Sequence, residues 1–105
     1  KIDCDALSDK DIETLASLIA ERVEPFYRVH GIPQGGLRIA RALEHYASQT
    51  GVSTLVVDDV FTTGKSMREV AIEYMNKGDD VQGAVIFSRT RNIPIFVKPL
   101  FVLYD

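Results

Sequence analysis

The sequence has one cysteine, no tryptophan, no long apolar run and no surplus of basic charge, and each shortage excludes something. Cys4 stands alone, so no intrachain disulfide can form. A reducing, cytoplasmic setting is expected. No apolar stretch is long enough to cross a bilayer and no signal-peptide pattern opens the chain, so no membrane partner is expected. Lys1 stands where Met would, as at a processed or engineered start. Lys and Arg number 12 against 15 Asp and Glu, a net charge of −3, which argues against a nucleic-acid-binding surface. There is no internal repeat, no low-complexity segment and no block of like charge that would read as a disordered tail. What is present is 46% hydrophobic residues in a chain of 105, enough for one compact domain over residues 1–105 and too short for two.

The elements can be read in order. Ser8 and Asp11 form an S-x-x-D capping box, and Ile12, Leu15, Ala16, Ile19 and Val23 follow at helical spacing until Pro25. "FYRVH" (Phe26 to His30) is a short strand that runs into "GIPQGG", the densest turn signal in the chain. "LRIARALEHYASQ" (Leu37 to Gln49) reads as an amphipathic helix stopped by Gly51. "TLVVDD" (Thr54 to Asp59) is a nearly continuous apolar run, which suits a strand buried on both faces. Ser66 to Lys77 is helical, with Gly78 as its C-terminal stop. Val81 to Phe87 is a further strand, "SRTRNIP" a loop, and Pro99 to Tyr104 a last strand preceded by a short piece at Ile95 to Val97.

Strands alternating with helices predict right-handed βαβ units. The expected fold is α/β in three layers, a central parallel sheet of four to five strands flanked by helices. Such sheets bind ligands at the carboxyl ends of their strands, near a switch in strand order. "GIPQGG" and "DDVFTTGKS" each follow a strand and precede a helix, so both belong at that edge.

The second loop has the composition of an anion site. Thr62, Thr63 and Ser66 offer hydroxyl donors, and Gly64 lets the backbone turn tightly. A helix begins near Lys65 with its unpaired N–H groups toward the loop, which suits a phosphate. Asp58 and Asp59 would repel that phosphate, so they suit what lies next to it: sugar hydroxyls, Mg2+ or a developing positive charge. The glycines of "GIPQGG" allow backbone N–H groups to converge on a second anion. The ligand implied has phosphate at one end, hydroxyls or positive character in the middle and an anionic group beyond.

"TLVVDDVFTTGKS" resembles the phosphoribosyl-pyrophosphate (PRPP) signature of type I phosphoribosyltransferases: an apolar run, two acids, two apolar residues, then small or hydroxyl residues around a glycine. Phe61 is bulkier than the aliphatic residue usual at its place. "VHGIPQGGLRIA" resembles the pyrophosphate loop of that family with its following helix. "GAVIFSR" is similar to the strand that ends, in the orotate branch, in an arginine touching the base. The resemblance covers Tyr27 to Arg89 and is closest in flavour to orotate phosphoribosyltransferase. It implies that Thr62, Thr63, Gly64, Lys65 and Ser66 hold the 5′-phosphate of PRPP. By the same likeness Asp58 and Asp59 are catalytic: they contact the ribose hydroxyls, stabilise an oxocarbenium-like transition state and attract Mg2+ indirectly. Pro33, Gln34 and Gly35 face the pyrophosphate, and Phe87, Ser88 and Arg89 lie near the base. The implied reaction transfers the phosphoribosyl group to a nitrogenous base, in nucleotide synthesis or salvage, and releases pyrophosphate.

The sequence also departs from that pattern. One helix and a short turn separate Gly36 from Thr54, where the family usually carries a long mobile hairpin that closes over the substrate. Gln34 stands where many relatives have a basic residue. The base-covering hood is reduced to the Ser8 helix and the tail after Arg89. A lidless chain fits a second reading, a non-catalytic sensor that binds PRPP or a nucleoside monophosphate. The small size predicts a homodimer.

Other readings of the same residues fit less well. A nucleotide-triphosphate P-loop through "GKS" needs a glycine where Asp59 stands. "LVVDD" also resembles the acidic pair of receiver domains, but the later phospho-acceptor strand and its partners do not follow. Arg91 reads as a solvated loop charge, and His30 as a structural, hydrogen-bonded histidine. His45, Tyr46 and Tyr74 read as helix packing, and Cys4 as inert.

Overall fold

In the computed structural model, which describes residues 6–102, the reciprocal cap at Ser8 opens the first helix, α1 (Asp9–Arg22). The Asp11 N–H donates to Ser8 Oγ at 3.1 Å and the Ser8 N–H donates to Asp11 Oδ2 at 3.1 Å. Two orphan donors of the first turn are thereby satisfied. The helix ends at Val23, two residues before Pro25. Cys4 and Tyr104, read above as an inert thiol and the end of the last strand, lie outside the described residues.

Four strands follow: β1 (Phe26–Gly31), β2 (Ser53–Phe61), β3 (Val81–Ser88) and β4 (Val97–Val102). All pairs are parallel and the sheet order is β1-β2-β3-β4. Between them lie α2 (Gly35–Leu43) and α3 (Lys65–Asn76). Helix α2 is shorter than its apolar pattern suggests. It passes into a 3-10 turn at Glu44–Tyr46, after which the Ser48 N–H donates to Phe26 C=O and ties the chain to β1. Gly78, at φ +90, takes the left-handed turn that ends α3. Strand β4 begins at Val97 and accommodates Pro99 because it is an edge strand.

Alternate side chains of the sheet feed two cores. Leu55, Val57, Ala84 and Ile86 pack beneath α1 and α2, against Ile12, Ile19, Ile39 and Leu43. Val56 and Val85 point the other way, toward Met67 of α3 and Phe61. The fold is therefore the three-layer α/β arrangement expected, with four strands.

Its handedness is not uniform. Each strand-to-strand step moves in the same direction across the sheet, yet α2 packs on one face while α3, Ile93 and Phe96 pack on the other. Crossovers that step the same way on opposite faces have opposite hands. The two that share a face take the right-handed form of nearly all such units, which leaves β1–α2–β2 left-handed. The expectation of uniformly right-handed units fails for this first crossover, because α2 packs on the face opposite α3 while the strand order keeps advancing in one direction. The loop after β1 thus leaves toward one face and the loop after β2 toward the other. A crevice opens between them at the carboxyl ends of the strands. The switch is one of face rather than of strand order, and it still creates the place where such sheets bind ligands.

Candidate functional site

The loop after β2 is built around Phe61 and Gly64. Phe61 is 2% exposed and anchors the end of the strand. Gly64 precedes α3 at φ +75, and a Cβ there would lie 2.6 Å from the Phe61 ring, so only glycine fits. The N-cap Gly64 has no side chain to bond the first turn of α3, and the Thr63 hydroxyl accepts only the Lys65 N–H, at 3.4 Å, which leaves the Ser66 and Met67 N–H groups for an anion. Thr62, Thr63, Lys65 and Ser66 are exposed around a cavity of about 90 Å³ that Asp58 also lines. Arg68, which sequence reasoning passed over, steadies this loop: its guanidinium donates to the Thr63 C=O at 2.6 Å.

Asp58 and Asp59 open onto different cavities, although their carboxyls stay close enough to share a hydrogen bond. Asp58 lies on the α3 side with the phosphate-type loop. Asp59 lines a cavity of about 190 Å³ on the α1–α2 side, together with Ile12, Gln34, Gly35, Arg38 and Ile86. The pair is tied to its own backbone: the Asp59 N–H donates to Asp58 Oδ1 and the Val60 N–H to Asp59 Oδ1, each at 2.8 Å. The Asp58 pKa is raised to about 7, chiefly by burial. A hydrogen bond with the Asp59 carboxyl adds to the rise, and the bond from the Asp59 N–H opposes it.

Gly35 lets the first loop approach this pair. A Cβ on Gly35 would fall 2.0 Å from Asp59 Oδ2. The Pro33–Gln34 peptide is cis. Gln34 and Gly35 face Asp59, but Pro33 does not: it is exposed on the far side of the loop, in a groove beside β1 with Leu37 and Arg41. The structure thus brings Gln34 and Gly35 together with the acid pair and leaves Pro33 outside.

Arg38, one turn into α2 from Gln34, was also missed. Its guanidinium donates to the Leu7 C=O at 2.9 Å and to Asp9 Oδ1 at 3.2 Å, which holds it at the cavity wall. The spacing was the available signal, because residues four apart share a helix face: Arg38 follows Gln34 as Arg68 follows Gly64. At the end of β3, the Arg89 N–H donates to Phe61 C=O at 3.0 Å, which sets Arg89 beside the end of β2. Ser88 is buried and its hydroxyl donates to the Thr90 C=O, so it shapes the loop. Phe87 stacks on Phe101 with ring centroids 5.6 Å apart. His30 is structural as read: its Nδ1 is 2.8 Å from the Tyr74 hydroxyl.

The donor set bears on Mg2+. Among the described residues no group of three or more His, Cys, Asp or Glu could hold a metal ion. Two carboxylates alone fit Mg2+ when it is shared with the oxygens of a phosphorylated ligand, which is its usual mode in proteins.

No family model matches the sequence, and no curated protein matches it. Solved structures do. Mycobacterium tuberculosis H37Rv orotate phosphoribosyltransferase, in complex with inorganic phosphate, is similar at a TM-score of 0.74 and 18% identity, over 91% of this chain and 73% of that one. Pyrococcus horikoshii Ot3 purine phosphoribosyltransferase is similar at 0.66 and 19%, over 93% of this chain and 89% of that one. Leishmania donovani UMP synthase is similar at 0.67 and 17%, over 89% of this chain, which spans only 27% of the enzyme. The fold is that of the type I phosphoribosyltransferases.

Proposed function

We propose that the chain binds PRPP together with Mg2+ and transfers its phosphoribosyl group to a nitrogenous base, releasing pyrophosphate. The observation that carries this reading is the acid pair itself: Asp58 opens onto the start of α3 and Asp59 onto the glycine loop, so one extended ligand can touch all three. In this reading Thr62, Thr63, Gly64, Lys65 and Ser66 take the 5′-phosphate. Asp58 and Asp59 accept from the ribose hydroxyls and stabilise positive charge developing at the anomeric carbon. Gln34 and Gly35 meet the pyrophosphate with Arg38 behind them, and Arg89 lies toward the base. Asp58 and Asp59 would hold Mg2+, whose charge would neutralise the leaving group.

One observation favours a second reading. Residues 47–52 link the end of the α2 segment directly to β2, so no lid rises between the two loops. A site that cannot exclude water suits a sensor for PRPP or a nucleoside monophosphate. In either reading the protein is cytoplasmic and works as a homodimer. Among the described residues no helix is long and apolar enough to cross a membrane.

Calorimetric titration of PRPP with and without Mg2+, followed by a pyrophosphate-release assay with candidate bases, tests both. Mg2+-dependent binding that disappears in Asp58→Asn with Asp59→Asn is expected. Pyrophosphate release supports the enzyme and binding without release the sensor. Binding unaffected by the double substitution, or no binding of PRPP or nucleotide, overturns the site.

A further inference from the structure

The two edges of the sheet are unlike. Strand β4 carries Lys98 and Pro99 in its middle, the residues that keep an edge from pairing with another chain. Strand β1 carries neither between Val29 and Gly31. The Ile32 N–H donates to the Val57 C=O at 2.9 Å. Counting back by twos, His30 bonds to β2, while Val29 and Gly31 turn their N–H and C=O groups to the outer edge. The left-handed β1–α2–β2 crossover explains why this edge is open: a right-handed turn through α2 would have laid the next strand there.

Beside the edge runs a groove of about 420 Å³, lined by Val29, Gly31, Pro33, Leu37, Arg41 and Glu44 among others. Leu37 is 46% exposed. Arg41 and Glu44 are exposed one turn apart, and neither side chain has a partner among the described residues.

We propose that a second copy of this chain occupies the β1 edge, pairing β1 antiparallel with its own counterpart to make a continuous eight-stranded sheet. The charges favour this occupant. A twofold axis beside Val29 turns α2 over α2 and sets Arg41 against Glu44 of the second copy, and Glu44 against Arg41, so the surface is its own complement. Leu37 and its copy flank the charge pairs, one at each end of the seam. This surface is independent of the PRPP site and does not rest on the functional reading above.

Sedimentation equilibrium of the 105-residue chain at micromolar concentrations tests it. The expected result is a dimer. Arg41→Glu and Glu44→Arg should each weaken it by roughly tenfold or more, and the double exchange should restore it. Val29→Pro removes an outward N–H and no ladder bond, and should leave a monomer. A chain that stays monomeric throughout overturns the proposal. So does a dimer indifferent to the charge exchanges, which sit on exposed helix positions and leave the fold intact.

Discussion

Asp58 shows what a single residue contributes and what it costs. Its pKa near 7, raised first by burial and then by the Asp59 carboxyl, lies above the value of the unfolded chain. The folded protein therefore holds that proton more tightly. Its stabilising effect is complete below the unfolded pKa and is lost as pH rises through the folded one, so this residue lowers stability from about pH 4 to pH 7. Asp58→Asn should flatten that slope and raise stability at pH 7 by roughly 1 kcal/mol, the part left after solvent screens a half-buried pair. Urea unfolding at several pH values checks it; an unchanged slope would mean the carboxyl ionises freely. The acid pair and the hydroxyl loop were legible in the sequence because type, order and spacing are local. Arg38 and Arg68 were not, because their roles come from carbonyls outside their own helices: Leu7 ahead of α1 and Thr63 in the loop before α3.

At the scale of elements, what could be read was whatever a helix or strand fixes by itself. The Ser8–Asp11 cap and the Gly78 stop appeared where the sequence put them, since both satisfy backbone groups within a few residues. The extent of α2 was not legible. Its apolar pattern continues to Gln49, but Ser48 is drawn to Phe26 of β1, a tertiary bond no periodicity reveals. Helix α1 matters to the site because Ile12 lines the Asp59 cavity. Ser8→Ala removes the Asp11 N–H acceptor and should cost about 1 kcal/mol. Hydrogen exchange should rise most in the first turn of α1 and less in β2. Equal loss of protection in both would show that α1 does not open on its own.

For the whole molecule the decisive feature is topological. Alternating strands and helices gave the layers correctly, yet the hand of the first crossover depends on which face α2 takes relative to the strand order, which no residue pattern encodes. That one reversal produces both the crevice between the two loops and the open edge of β1. It also makes the asymmetry of the edges consequential. One self-complementary edge closes into a dimer and stops; two such edges propagate without limit, because each added copy offers a fresh one. Lys98 and Pro99 are what keep β4 from being the second. Lys98→Thr with Pro99→Val gives β4 a residue that can pair and removes the charge that resists it. Lys98 also donates to the Arg22 C=O at 3.0 Å, an exposed contact whose loss costs little. The variant should fold and then grow into long, sheet-rich assemblies, seen as light scattering that rises with concentration. Adding Val29→Pro to it should cap growth at dimers joined through β4. Scattering that stays at the level of the parent chain would mean that β4 is guarded by its twist rather than by these two residues.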